Sequence, residues 1–154
     1  MVFLFDVVVP NQDDLPTEEE TLLLVERVMA GESVRWASIG IILAGHELVT
    51  ELNNIWLSHD YDTDVLSFVV EESEAGLEGE VYVDVETARE RCVEFNTTVR
   101  QEVARYIVHG LLHLAGHDDA TAEGSRLMTA LENRYLTPGD AIPAPLSGHV
   151  PASG

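Results

Sequence analysis

Two hydrophobic periodicities alternate along the chain, and each predicts one kind of element. Four segments rich in β-branched and aromatic residues are predicted strands. They are residues 2–9, 34–43, 65–70 and 81–85. Five segments with apolar residues at helical spacing are predicted helices. They are residues 17–30, 45–57, 87–94, 99–115 and 120–136. Because strands dominate the first half and helices the second, we expect an α+β fold, a single small mixed sheet with helices packed on it.

Local signals refine these elements. Gly31 is expected to end the first helix and Gly116 the fourth, because glycine readily takes the left-handed conformation that closes a helix. Asn96 or Thr97 is the expected N-cap of the fourth helix. Residues 71–80 carry several acids and two glycines, a composition that predicts a solvated loop.

The second helix is expected to bury one apolar face. Four of its residues recur at helical spacing on that face: Leu48, Leu52, Ile55 and Trp56. We expect Trp56 to pack in the core, as buried aromatic side chains usually do.

Length and composition fit one domain. The chain has 154 residues, enough for a domain with its own core, and we expect that domain to span residues 1–136. Residues 137–154 contain four prolines, three glycines and one charge, which is typical of a disordered tail. The single cysteine, Cys92, excludes a disulfide framework and a four-cysteine zinc site. Because the chain lacks a long apolar run and a basic signal region, we expect a cytoplasmic protein without a membrane partner.

The net charge is unusual. The sequence has 28 acidic residues, eight arginines and no lysine, which gives a net charge of −20. Phosphate affinity comes mainly from Lys and Arg, so this balance argues against a general binder of DNA, RNA or anionic membranes. The acid excess is uneven, because residues 95–136 carry four arginines and five acids, a net charge of −1. That segment is therefore compatible with a local phosphate site.

The densest chemistry lies in the fourth predicted helix and just after it. Three of the six histidines fall within nine residues: His109, His113 and His117. His109 and His113 are four residues apart, so they share one helix face and one metal ion could reach both. Because the helix is otherwise strongly apolar, its imidazoles need partners. From spacing alone, two metal ligands and two hydrogen-bonded core histidines are about equally good interpretations.

A third ligand would come from the turn that Gly116 introduces. That turn can present His117, Asp118 or Asp119. Two histidines, one carboxylate and an open position form a catalytic zinc pattern, in which the metal acidifies water.

Two further positions on the helix bear on its chemistry. Gly110 stands where zinc proteases of the His-Glu-x-x-His type carry their base, which disfavours a peptidase. Glu102 lies two turns before His109 on the same stripe. It is a candidate for orienting a ligand or moving a proton.

Three blocks of the sequence together resemble a known family. Residues 109–118 fit the start of the signature His-Gly-x-Leu-His-Leu-x-Gly-x-Asp-His, residues 52–68 resemble a block that ends Thr-Asp-Val-Leu-Ser-Phe, and residues 79–81 resemble Gly-Asp-Ile. The family is that of the YbeY metal-dependent endoribonucleases of bacteria, also called ribosomal RNA maturation factors. The order of elements matches over residues 1–136, and Glu102 falls where the family has a glutamate.

The resemblance implies an α+β fold with a metal site on its central helix. It implies a zinc-dependent endoribonuclease of ribosomal RNA maturation, with ribosomal RNA or a ribosomal particle as partner. His109, His113 and Asp119 are the implied ligands. Asp119 stands where the family has its last histidine, and His117 is the alternative. Leu57 stands where the family has an arginine implicated in RNA cleavage. The alternative function is a ribosome-assembly or binding protein of the same fold with weak or lost nuclease activity.

Overall fold

The computed structural model describes residues 1–57 and 64–136, which form one four-stranded sheet and five helices. In chain order the elements are β1 (Val2–Val7), α1 (Glu18–Glu32), β2 (Trp36–Ala44), α2 (His46–Leu57), β3 (Val65–Ser73), β4 (Gly76–Asp84), α3 (Val85–Glu94), α4 (Val99–Leu114) and α5 (Ala122–Leu136). The predicted α+β class is confirmed. The tail predicted at 137–154 lies outside the described residues.

The sheet is mixed, as expected, with the strand order β1-β2-β4-β3. β1, β2 and β4 run parallel, whereas β3 pairs antiparallel with β4. None of the helices in the described ranges has the length and apolar run that crossing a membrane requires.

The main core covers one face of the sheet. Alternate residues of β2 and β4 are fully buried there: Ile39, Ile41, Leu43, Val81 and Val83. Helices α1 and α4 contribute further fully buried side chains: Leu24, Val25, Val28, Ile107, Leu111 and Leu112. A smaller cluster joins Val49 of α2 to Ala44 and Leu66 of the sheet. Because successive strand residues point to opposite faces, this second cluster occupies the other side of the sheet.

Residues 71–80 belong to a β-hairpin, so the predicted solvated loop is wrong. β3 continues to Ser73, which pairs with Gly76 at the start of β4. Gly76 has a φ of +120°, and a Cβ there would lie 2.8 Å from the carbonyl oxygen of Arg35. The acids of β3 are exposed, but they line the outer strand of a sheet. Charge alone does not separate a loop from an edge strand.

Helix α2 buries a narrower face than predicted. Val49 and Asn53 are buried and Leu52 is half-buried, whereas Ile55 and Trp56 are 61% and 68% exposed. The prediction that Trp56 packs in the core is therefore wrong. Because α2 packs on the small second cluster and not on the main core, only part of its apolar surface is covered.

Helix α1 does not end at Gly31, as the sequence predicted. It runs to Glu32, and Ser33 takes the left-handed conformation with a φ of 57°. Gly31 meets a different need, because a Cβ there would lie 2.3 Å from the hydroxyl oxygen of Tyr135. The glycine thus allows α5 to approach α1 closely.

Helix α4 begins at a capping box. Thr98 is the N-cap, and not Asn96 or Thr97, because its hydroxyl accepts from the backbone N–H of Gln101 while the Gln101 side chain accepts from the backbone N–H of Thr98. Gly116, with a φ of +107°, follows the helix end as predicted.

Candidate metal centre

Helix α4 lies unusually close to the sheet at Gly110. A Cβ at this position would lie 2.5 Å from Val81 Cγ1 and 3.1 Å from Ser67 Oγ. The Ser67 hydroxyl donates to the carbonyl oxygen of Gly110 at 2.8 Å. Gly110 therefore allows α4 to pack closely on the sheet. This close packing sets the distance between the sheet and the helix that carries His109 and His113.

His109 and His113 stand one helical turn apart on α4, as their spacing predicted. Their Nε2 atoms are 3.1 Å apart and their ring centroids 4.7 Å apart. Both side chains are partly exposed, 24% and 32% respectively. The two rings therefore face a common point that a small ligand can reach.

Asp119 joins the two imidazoles from the loop of residues 115–121, called here the site loop. Its Oδ2 lies 3.4 Å from His109 Nε2, and its Oδ1 lies 3.7 Å from His113 Nε2. One ligand atom from each of the three residues lies within 4.8 Å of the others. We call His109, His113 and Asp119 the ligand cluster.

The spacing of the ligand cluster is close to that around a tetrahedral metal ion. Ligand atoms about 2.0–2.1 Å from a zinc ion lie roughly 3.3 Å from one another. The two imidazole nitrogens lie 3.1 Å apart. Asp119 approaches each imidazole with a different oxygen, at 3.4 and 3.7 Å, and one donor atom from each residue lies within 4.8 Å of the other two. Three protein donors leave a fourth position for water or substrate, as in catalytic zinc sites.

Glu132 supports His109 from behind. The His109 Nδ1–H donates to Glu132 Oε2 at 2.7 Å, a tautomer that turns the Nε2 lone pair toward the ligand cluster. Glu132 is only 7% exposed, and Arg105 Nη1 donates to its other oxygen at 2.9 Å. Sequence reasoning missed Glu132. The available signal was an acid four residues after Met128 on the buried side of the last helix.

His113 has a supporting contact of its own. Its Nδ1 donates to the backbone carbonyl of His117 at 3.1 Å. The side chain of His117 points elsewhere, because its Nε2 lies 2.6 Å from Glu32 Oε1. The structure therefore brings Asp119, and not His117, to the two imidazoles.

Electrostatics differ between the two histidines. Burial lowers the pKa of His109, but the hydrogen bond and charge of Glu132, with Asp119 and Asp64, outweigh it and raise the pKa above the ordinary value. Burial and the positive charge of His109 lower the pKa of His113. Two imidazoles this close resist both being protonated, and a metal dication is compatible with two neutral nitrogens.

Glu102 is buried one turn before Tyr106, two turns from His109. Thr97 Oγ1 lies 3.4 Å from its carboxylate. Burial, followed by the carboxylates of Asp64 and Glu102, raises the pKa of Tyr106. The structure thus places Glu102 beside Tyr106, away from the ligand atoms themselves.

The second motif block approaches the same region. Asp64 directly precedes β3, and its carboxylate lies 3.5 Å from Arg91 Nη1. Burial raises the pKa of Asp64, against the effect of Arg91. Leu57 is the last residue of α2, and residues 58–63 of the block lie outside the described part of the chain.

Another histidine–carboxylate pair, on α2 and β4, was not predicted. His46 Nδ1 lies 2.6 Å from Asp84 Oδ2, and Asp84 is fully buried. Asp84 also caps α3 by accepting from the backbone N–H and hydroxyl of Thr87. This pair joins α2 to α3 at the end of the sheet.

Comparison with known proteins places the chain in a family. The family model described as endoribonuclease YbeY matches residues 10–139. Proteins named endoribonuclease YbeY are similar to it in Salinibacter ruber (44% identical, over 80% of this chain and 83% of the relative) and in Chloroherpeton thalassium (35%, over 81% and 87%).

A solved structure shares the fold of the chain. The solution structure of a Thermotoga maritima protein superposes with a TM-score of 0.56 and 26% identity, over 88% of this chain and 87% of that one. Its agreement with the sheet and helices described above extends the match from sequence to fold. The chain therefore belongs to the endoribonuclease YbeY family.

Proposed function

We propose that this chain is a metal-dependent endoribonuclease that acts in ribosomal RNA maturation, with zinc as its metal. The observation that carries the proposal is the ligand cluster, three partly exposed donors whose ligand atoms lie within 4.8 Å of one another. Membership of the endoribonuclease YbeY family supplies the class of reaction.

The ligand set favours zinc over harder cations. Two imidazole nitrogens with one carboxylate suit zinc, whereas magnesium and calcium prefer oxygen ligands. When bound, the metal supplies Lewis acidity toward a phosphodiester and lowers the pKa of water.

The contacts around the ligand cluster orient the ligand atoms before any metal binds. Glu132 fixes the tautomer of His109, and the His117 carbonyl fixes that of His113. Such supporting contacts strengthen metal binding because the imidazoles need no reorientation. Glu102 is proposed to act through Tyr106, beside which it is buried, as a positioning or proton-handling group.

The proposed substrate is RNA, with ribosomal RNA or a ribosomal particle as the partner in the cytoplasm. The ligand cluster lies in the segment whose net charge is −1, which a bound dication makes positive. Local attraction for a phosphate is therefore compatible with the −20 charge of the whole chain.

A matched pair of neighbouring carboxylates tests this proposal. Asp119→Asn removes a ligand, whereas Asp118→Asn changes an exposed side chain that accepts from the backbone N–H of Ala120. We expect Asp119→Asn to lose bound zinc and metal-dependent cleavage of an RNA substrate, and Asp118→Asn to keep both. Metal content is measured by mass spectrometry on the purified proteins. Equal zinc in both variants and the wild type would contradict the proposed site.

The second candidate is a ribosome-assembly protein with little nuclease activity. Leu57 favours it, because it replaces a cation that could stabilise charge on a phosphate. The discriminating experiment introduces Leu57→Arg together with Asp119→His. If neither the wild type nor this double variant cuts RNA while both bind zinc, the second candidate replaces the first.

A further inference from the structure

His117 connects the site loop to two helices that supply no ligand. Its Nε2–H donates to Glu32 Oε1 at 2.6 Å, and the Tyr135 hydroxyl donates to Glu32 Oε2 at 2.5 Å. Glu32 is the last residue of α1, and Tyr135 lies in the last turn of α5. One carboxylate therefore ties the site loop to the C-terminal ends of both helices.

The backbone of His117 makes two hydrogen bonds to α4. Its N–H donates to the carbonyl of Leu112 at 3.0 Å, and its carbonyl accepts from His113 Nδ1 at 3.1 Å. A displacement of His117 would therefore move the acceptor that orients the His113 ring. Asp119 lies only two residues further along the same loop, so it would move as well.

The site loop is also held at its two ends, because the Gly116 N–H donates to the His113 carbonyl and Thr121 accepts from the backbone N–H groups of Gly124 and Ser125. Between these ends, the His117 side chain makes the contact that reaches α1. Gly116 has open space around it, since a Cβ there would meet nothing within 4 Å. Asp118 accepts from the backbone N–H of Ala120 at 2.9 Å, a contact within the loop. By contrast, the side chains of His117 and Glu32 are only 26% and 13% exposed. A short hydrogen bond to a carboxylate in this shielded place is among the stronger contacts a loop can make.

We propose that His117 and Glu32 form an anchor that positions two members of the ligand cluster. The His117 carbonyl sets the His113 ring, and the fixed loop sets the Asp119 carboxylate. His117 is thus a positioning residue and not a ligand, because its Nε2 is held by Glu32. The inference rests on the proposed function, since it takes the ligand cluster as a metal site.

Zinc affinity of the purified protein tests the anchor. We expect His117→Ala and Glu32→Ala each to weaken zinc binding by about tenfold to a hundredfold. The double variant should be no weaker than either single one, because both changes break the same contact. His117→Gln should recover most of the affinity, since its amide N–H can donate to Glu32. Glu26→Ala, which removes an exposed carboxylate on the same helix, is the matched control and should bind like the wild type.

Two further measurements separate positioning from a general loss of structure. The melting temperatures of the metal-free variants should stay close to that of the metal-free wild type, although their zinc affinities fall. The d–d absorption of the Co²⁺-loaded variants should weaken, because Asp119 no longer completes a tetrahedral shell. Wild-type zinc affinity in His117→Ala, or additive losses in the double variant, would overturn the anchor alone. A wild type that binds no zinc would overturn the proposed function, and the anchor with it.

Discussion

At the scale of single residues, Gly110 shows how one missing side chain places the site. A Cβ at this position would lie 2.5 Å from Val81 Cγ1, far inside van der Waals contact. Any larger residue would push α4 away from the sheet. The neighbouring His109 would then shift relative to Glu132, which belongs to another helix.

Gly110→Ala is therefore expected to destabilise the protein by about 1–3 kcal/mol, through overpacking against β4. Urea unfolding of the metal-free protein measures the change. Gly40→Ala is the control, because a Cβ at Gly40 meets its nearest atom at 3.5 Å, an ordinary contact. If both alanine variants unfold at the same urea concentration, close packing at Gly110 is not what requires the glycine.

The same scale shows what a sequence can reveal about a site. His109 and His113 can be identified from spacing, since four residues on a helix always give one face. Glu132 and Glu32 could not be assigned in this way, because they lie 23 and 85 residues from the histidines they contact. Such partners depend on how the helices pack.

At the scale of elements, α5 affects the pKa of a histidine on α4 through one carboxylate, that of Glu132. Glu132 outweighs the effect of burial and raises the pKa of His109 in the metal-free protein above the ordinary value of 6.5. A raised pKa in the folded state means that protonated His109 stabilises the fold below pH 6.5. This contribution is lost as the pH rises through the pKa of the folded protein.

Glu132→Gln is expected to lower the pKa of His109, and to weaken zinc binding by about tenfold to a hundredfold. NMR titration of the imidazoles in the metal-free protein reports the first effect, and competition with a chelator reports the second. Glu123→Gln, an exposed acid on the same helix, should change neither. An unchanged His109 pKa in Glu132→Gln would show that the hydrogen bond does not set it.

Elements were predictable where one face is buried in the main core, and less so elsewhere. α4 follows its apolar period closely, since its inner side is fully buried. α2 does not, because the small cluster beneath it leaves Ile55 and Trp56 exposed. The hairpin at 71–80 was missed because Glu71, Glu72 and Glu74 are exposed, as acids in a solvated loop would be.

At the scale of the whole molecule, fold class followed from the sequence but strand order did not. The position of β4 between β2 and β3 brings residues 79–81 and 64–67 under the same helix. This arrangement explains why three separated motif blocks belong together. It also leaves β3 at the edge of the sheet, so the exposed Glu71 and Glu72 lie on an outer strand.

The net charge of the whole chain predicts an unusual salt dependence for the proposed nuclease activity. A protein of net charge −20 repels RNA at long range, and the screening length falls from about 30 Å at 0.01 M salt to about 10 Å at 0.1 M. We expect kcat/KM for an RNA oligonucleotide to rise with monovalent salt over this range, on the order of tenfold, with kcat unchanged.

The acids of the sheet edge provide the matched variant for this experiment. Replacing the exposed Glu71, Glu72 and Glu74 by Gln removes three negative charges outside the ligand cluster. Because long-range repulsion falls with net charge, this variant should show higher kcat/KM at low salt and a smaller rise on adding salt. A basic nuclease behaves in the opposite way, since salt weakens its phosphate contacts. A steady fall of kcat/KM with salt in the wild type would mean that local cations, and not the net charge, govern the encounter with RNA.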